Sequence, residues 1–179
     1  MKRLVMLTAL ALFAQAAAAT TQWPYDEKAD ARADVKSALA QAQADHKNVL
    51  LVFGANWCGD CRELDKAMHG SSRPLIDGKF EVVKIDVGNF DKNLDIAQHY
   101  GDPIRKGIPA VVELNSDNQV IYSTKGGELA DARKMGDQGI YDFLAAKLSC
   151  PASTGGGTGP VSEAHRGLTP MARVRLWGW

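Results

Sequence analysis

The stretch Phe53-Gly54-Ala55-Asn56-Trp57-Cys58-Gly59-Asp60-Cys61 decides the reading of this chain. A continuous apolar run, Val49-Leu50-Leu51-Val52-Phe53, leads into it and has the composition of a strand buried on both faces. From Gly59 onward Leu64, Ala67 and Met68 recur at a helical spacing. The two cysteines therefore fall at a strand-to-helix junction, with Cys58 beside the first free N–H groups of the helix. Such a terminus carries unpaired donors and a partial positive charge. Both favour a thiolate over a thiol, and the thiolate is the nucleophile in disulfide exchange. Cys58 is thus the better attacking sulfur. Cys61, one turn further in, can close an intramolecular disulfide with it, so the pair can take or give two electrons through a mixed disulfide.

About fifty residues later stands Gly107-Ile108-Pro109-Ala110, preceded by Ile96-Ala97-Gln98-His99-Tyr100-Gly101. Together with Trp57-Cys58-Gly59-Asp60-Cys61, these segments resemble the thioredoxin family over roughly residues 27 to 148. The resemblance implies an α/β thioredoxin-like fold: a central mixed β-sheet flanked by helices, here with an extra N-terminal helix. It also implies that Cys58 and Cys61 are catalytic and that no cofactor is needed, because the cysteines carry the electrons themselves. Trp57, Gly59, Asp60, Ile108 and Pro109 would contact the substrate. Trp57 would shape the surface beside the disulfide. A cis bond at Pro109 would expose the backbone of Ile108 to an incoming extended peptide. Thioredoxins proper carry a buried aspartate six residues before the first cysteine, and here that position is Val52. Its lysine partner aligns with Val82, so both halves of the buried ion pair would be apolar. Asp60, Glu63 or water would then have to serve Cys61 as proton acceptor.

Outward from the motif, Asp26 is the expected N-cap of a helix over 27–45 with Val35, Ala38, Leu39 and Ala42 inward. Pro74 opens a short helical turn through Asp77. A strand is expected from Phe80 to Val87, a helix from Phe90 to Tyr100 and a strand from Ile108 to Leu114. Asn115-Ser116-Asp117-Asn118 turns the chain into an antiparallel return, Gln119 to Ser123. A last helix runs from Gly136 to Leu148, with Ile140, Phe143, Leu144 and Leu148 on one face.

The ends read differently. Residues 1–19 have the form of a secretory signal: Lys2 and Arg3, an apolar stretch from Leu4 to Phe13, and Ala16 to Ala19 as a small-residue cleavage site. The apolar stretch is short for a membrane anchor, which takes about 20 residues, so no membrane span is expected in the mature chain. Export would place the dithiol in the periplasm or outside the cell, where disulfides persist. Residues 20–149 form the thioredoxin-like domain, and residues 150–179, opened by Cys150 and rich in glycine, read as a disordered tail.

The chain has 21 basic and 21 acidic residues and no broad basic run, which does not suggest nucleic acid. Arg62 follows Cys61 where haem attachment would need histidine, and His46, His69 and His99 show no ligand spacing, so no metal site is expected. Asp60, read as solvent-exposed, would oppose ionisation of Cys58 and tilt the couple toward a reductant or isomerase. The expected activity is exported thiol–disulfide exchange on protein disulfides, with protein thiols and a redox partner protein as its partners. The alternative is a thioredoxin-like binding module that holds a partner without turnover.

Overall fold

The computed structural model describes residues 23–148. The signal-like residues 1–19, Cys150 and the glycine-rich segment after it lie outside the described residues.

Nine elements and a 3₁₀ turn follow in order: helix α1 (Ala31–Asp45), strand β1 (Asn48–Gly54), α2 (Gly59–His69), α3 (Arg73–Lys79), β2 (Phe80–Asp86), α4 (Leu94–His99), the 3₁₀ turn Pro103–Lys106, β3 (Ala110–Leu114), β4 (Val120–Ser123) and α5 (Ala132–Lys147). The strands form one mixed sheet in the order β2-β1-β3-β4. β1 is the axis of the domain. It pairs in parallel with β2 and antiparallel with β3, and every residue from Asn48 to Gly54 is buried. Alternate side chains feed two cores. Val49, Leu51 and Phe53 pack on one face with Val35 of α1, Ile96 and Ala97 of α4, and Val112. Leu50 and Val52 pack on the other with Leu64, Ala67 and Met68 of α2, Ile76 of α3, and Ile140 and Leu144 of α5. Burial of each such aliphatic side chain stabilises the fold by about 1.5–3 kcal/mol. The continuous apolar run is what a strand covered by helices on both sides requires.

Four expectations change at element ends. α1 starts at Ala31, because Asp30 is the residue that caps it: Asp30 Oδ1 accepts from the Arg32 and Ala33 N–H groups, each at 3.2 Å. Asp26 instead accepts from Lys28 N–H at 2.9 Å and closes a local turn. α4 is confined to Leu94–His99, because Phe90 and Asn93 take positive φ angles of 63° and 52°, which no helix accommodates. α3 continues to Lys79 rather than stopping at Asp77. α5 starts at Ala132 and breaks at Gly136, whose φ of 65° and ψ of 179° interrupt it where the sequence suggested a beginning.

This layout brings three segments together at one end of β1. The turn after β1 delivers the cysteines. The loop before β3 delivers Gly107 to Pro109, with Gly107 at φ 121°, a conformation that favours glycine. The lead ahead of α1 delivers Trp23 to Ala29.

Candidate active site

Cys58 and Cys61 are joined in a disulfide, with Cα atoms 5.2 Å apart. Cys58 is the N-cap of α2: its backbone is extended, and its Sγ accepts from the Cys61 N–H at 3.1 Å. The sulfur therefore occupies the place where a capping oxygen normally satisfies an orphan donor. A thiolate at that position gains the same donor and the helix dipole. Cys58 is 5% exposed and Cys61 fully buried, so the first is the sulfur a reactant meets.

The Ile108–Pro109 peptide is cis, and the Ile108 carbonyl oxygen lies 3.7 Å from Cys58 Sγ. Trp57, 55% exposed, donates from Nε1 to the Gly88 carbonyl at 2.8 Å and sits against Phe90 with ring centroids 6.2 Å apart. Trp57 and Phe90 thus form an exposed aromatic surface beside the cysteines. Gly59 opens α2 directly beneath the Arg133 guanidinium, which a Cβ at that position would approach to 3.2 Å.

Asp60 departs from expectation. Its side chain is half-buried and held by Arg133 of α5: Nε donates to Oδ1 at 3.2 Å, Nη2 to Oδ2 at 3.1 Å, and the backbone N–H to Oδ1 at 3.0 Å. Burial works to raise the carboxyl, but the hydrogen bonds and charge of Arg133 outweigh it and hold it below the ordinary carboxylate range. The negative charge beside Cys58 is therefore offset, and the tilt toward a reductant that rested on it loses its footing. Both carboxylate oxygens of Asp60 are engaged by Arg133. The stabilisation from this pair is complete above the ordinary carboxylate pKa and is lost as pH falls through the depressed folded value. Replacing Arg133 by alanine uncovers the charge. We expect the reduced Arg133→Ala protein to react with iodoacetamide at Cys58 roughly two- to threefold more slowly at neutral pH. An unchanged rate would show that Asp60 does not reach the sulfur.

The lysine expected to be lost is present. Val52 pairs across β1 and β2 with Lys84, not Val82. The parallel register, which the sequence alone does not fix, supplies the correction. Lys84 is ion-paired with Asp65 of α2, and its ammonium lies 5.6 Å from the centroid of the Tyr25 ring. Val52 is fully buried and apolar, as its sequence position indicated.

The lead before α1 is part of the site. Asn56, two residues before Cys58, clamps Tyr25 from both sides: its Oδ1 accepts from the Tyr25 N–H at 3.0 Å, and its Nδ2 donates to the Tyr25 carbonyl at 2.9 Å. Nδ2 also donates to Glu27 Oε1 at 3.1 Å. Arg62 donates to the Asn56 carbonyl at 2.7 Å, and its guanidinium lies 5.9 Å from the centroid of the Trp23 ring. Tyr25, Asn56, Lys84 and Arg133 are the site residues that sequence reasoning missed. Asn56 lay inside the quoted motif, and a polar side chain between a buried strand and a buried cysteine was the available signal. Among the described residues, no three His, Cys, Asp or Glu side chains gather as a metal ion would need, and no helix is long and apolar enough to cross a membrane.

Residues 30–116 match the model of a family described as thioredoxin-like. Among solved structures, a disulphide isomerase from Xylella fastidiosa Temecula1 is 63% identical, with 71% of this chain and 98% of that chain covered and a TM-score of 0.69. The germline-specific thioredoxin Deadhead from Drosophila melanogaster is 29% identical, covering 62% of this chain and 90% of its own, with a TM-score of 0.42. No curated protein sequence matches the chain. An identity of 63% over nearly the whole of the Xylella structure, on the same fold and around a disulfide-forming Cys-x-x-Cys pair, places the chain in the thioredoxin-like family as a thiol–disulfide oxidoreductase.

Proposed function

We propose that the protein is an exported thiol–disulfide oxidoreductase of the reductase or isomerase type, acting on disulfides of other proteins. The observation that carries this reading is the Cys58–Cys61 disulfide at the start of α2, with the Ile108 carbonyl 3.7 Å from the more accessible sulfur. In the reduced protein the Cys58 thiolate attacks one sulfur of a client disulfide. The client's S–S bond breaks and a mixed disulfide forms at Cys58. The Cys61 thiolate then attacks Cys58 Sγ, the mixed disulfide breaks, and the client leaves as a dithiol while Cys58–Cys61 is oxidised. A redox partner protein returns the pair to its dithiol form. Ile108 and Pro109 supply backbone against which an extended client segment can pair, and Trp57 with Gly59 and Asp60 borders the approach. Each of these roles rests on position. The isomerase relative supports exchange on protein disulfides, and the signal-like residues 1–19 support export to the periplasm or beyond.

Replacing Cys61 by serine tests the reading, in a Cys150→Ser background that removes the third thiol. The Cys61→Ser protein should accumulate mixed disulfides with reducible protein clients through Cys58, seen as adducts on non-reducing gels that disappear with dithiothreitol. Absence of adducts, with the intact protein also failing to exchange with glutathione, would leave only a module that holds a partner without turnover.

A further inference from the structure

Tyr25 is 2% exposed, and its hydroxyl finds no hydrogen-bond partner among the described residues. Native structures rarely strand a buried hydroxyl, so one that is stranded asks for an acceptor that another state of the molecule supplies. The geometry around Gly54 names it. A Cβ built on Gly54 would fall 2.1 Å from the Tyr25 hydroxyl oxygen and 3.0 Å from Cys61 Sγ. The hydroxyl and the sulfur therefore face one another across a glycine, separated by no more than the sum of those distances. A disulfide sulfur is a weak acceptor and a thiolate a strong one, so the hydroxyl gains its partner only when the pair is reduced and Cys61 ionises.

Resting on the dithiol reading above, we propose that the Tyr25 hydroxyl is the hydrogen-bond donor to the Cys61 thiolate, making Tyr25 a positioning residue for the resolving step. Three features hold it there. Asn56 fixes the Tyr25 backbone from both sides. The Lys84 ammonium, ion-paired with Asp65, packs over the ring 5.6 Å from its centroid. Val52, the strand residue on the same face as Gly54, is apolar and offers no competing group. The titratable groups that face Tyr25 are Lys84 and Asp86 on β2 and Asp65 on α2; Cys58 faces Cys61. Burial, then the charges of Asp65 and Asp86, push the phenol above its ordinary range, so it keeps its proton and has a hydrogen to donate. In the step itself, Cys61 gives its proton to water and its thiolate accepts from Tyr25. It then attacks Cys58 Sγ: the Cys61–Cys58 bond forms, the bond from Cys58 to the outside sulfur breaks, and the electron pair leaves on that sulfur as a thiolate.

The test uses 5,5′-dithiobis(2-nitrobenzoate) and the reduced full chain carrying Cys150→Ser. Attack by Cys58 releases one thionitrobenzoate, and resolution by Cys61 releases a second. Tyr25→Phe should leave the first phase unchanged and slow the second by about tenfold at neutral pH, the effect of about one unit on the Cys61 ionisation. The difference should close at high pH, where Cys61 ionises unaided. A purely structural role for the ring would lower the melting temperature without moving this pH profile. A Tyr25→Phe second phase that overlays the unsubstituted one at every pH would overturn the proposal. Should Tyr25→Phe not fold, the Tyr25 ζ-carbon resonance in reduced Cys58→Ser protein carries the same test. It should move as Cys61 titrates, and a resonance that stays still overturns the proposal. If the chain with Tyr25 intact shows no second phase at all, the dithiol reading falls and this one with it; a normal second phase insensitive to Tyr25 removes this inference alone.

Discussion

Cys58→Ser is expected to lose disulfide exchange by at least about a thousandfold while keeping its fold. The asymmetry follows from the two jobs of the residue. As N-cap of α2, Cys58 has an extended backbone and a side chain that accepts the Cys61 N–H. Serine is among the best residues at that position, so the cap survives the exchange. As nucleophile, Cys58 needs a sulfur that ionises near neutral pH and attacks another sulfur, and a hydroxyl does neither. Turnover of a fluorescent glutathione disulfide, compared with thermal unfolding of both proteins in the reduced state, separates the two jobs. Retained turnover would mean that Cys61 attacks directly, and the order of the two sulfurs would have to be reversed.

The second large effect is on stability, at Gly54. Its Cβ position is already occupied: the Tyr25 hydroxyl oxygen lies 2.1 Å from it and the ring carbon behind 2.4 Å. Gly54→Ala must displace a side chain that is 2% exposed and tied through its backbone to Asn56. Overpacking of this kind costs about 1–3 kcal/mol, and for a domain of this size it lowers the melting temperature by roughly 5–10 °C. Calorimetry of the oxidised protein reads it directly. A melting temperature within about a degree of the parent would mean that the ring swings aside freely and that Tyr25 is not held against Gly54.

What could be read from the sequence was what neighbours along the chain determine. The buried strand, the cysteines at a helix start and Gly107-Ile108-Pro109 each sit within a few residues of the signal that announces them, and the resemblance joined them into one fold. The misplaced features depend on contacts made far along the chain. Asp60 was read as exposed because a carboxylate between two cysteines shows no partner nearby in the sequence; its partner Arg133 is 73 residues away. Lys84 was passed over because a two-residue shift in strand alignment is invisible until β2 is laid beside β1. The start of α1 went to the wrong aspartate because Asp26 and Asp30 both look like caps, and only the N–H groups each side chain accepts from separate them. Tyr25 drew no notice in the sequence because its importance comes from Gly54 and Asn56, 29 and 31 positions further on.

The shared volume of Gly54 and Tyr25 also constrains how such a chain can diverge. A lineage that acquires any side chain at position 54 must first give up the phenol at 25, and one that keeps the phenol is bound to glycine. Neither change is neutral while the other residue stands, so the two positions should drift together or not at all. A joint change would also take the Tyr25 hydroxyl away from Cys61, so descendants that made it would need some other group in reach of that sulfur, or would be released from needing it.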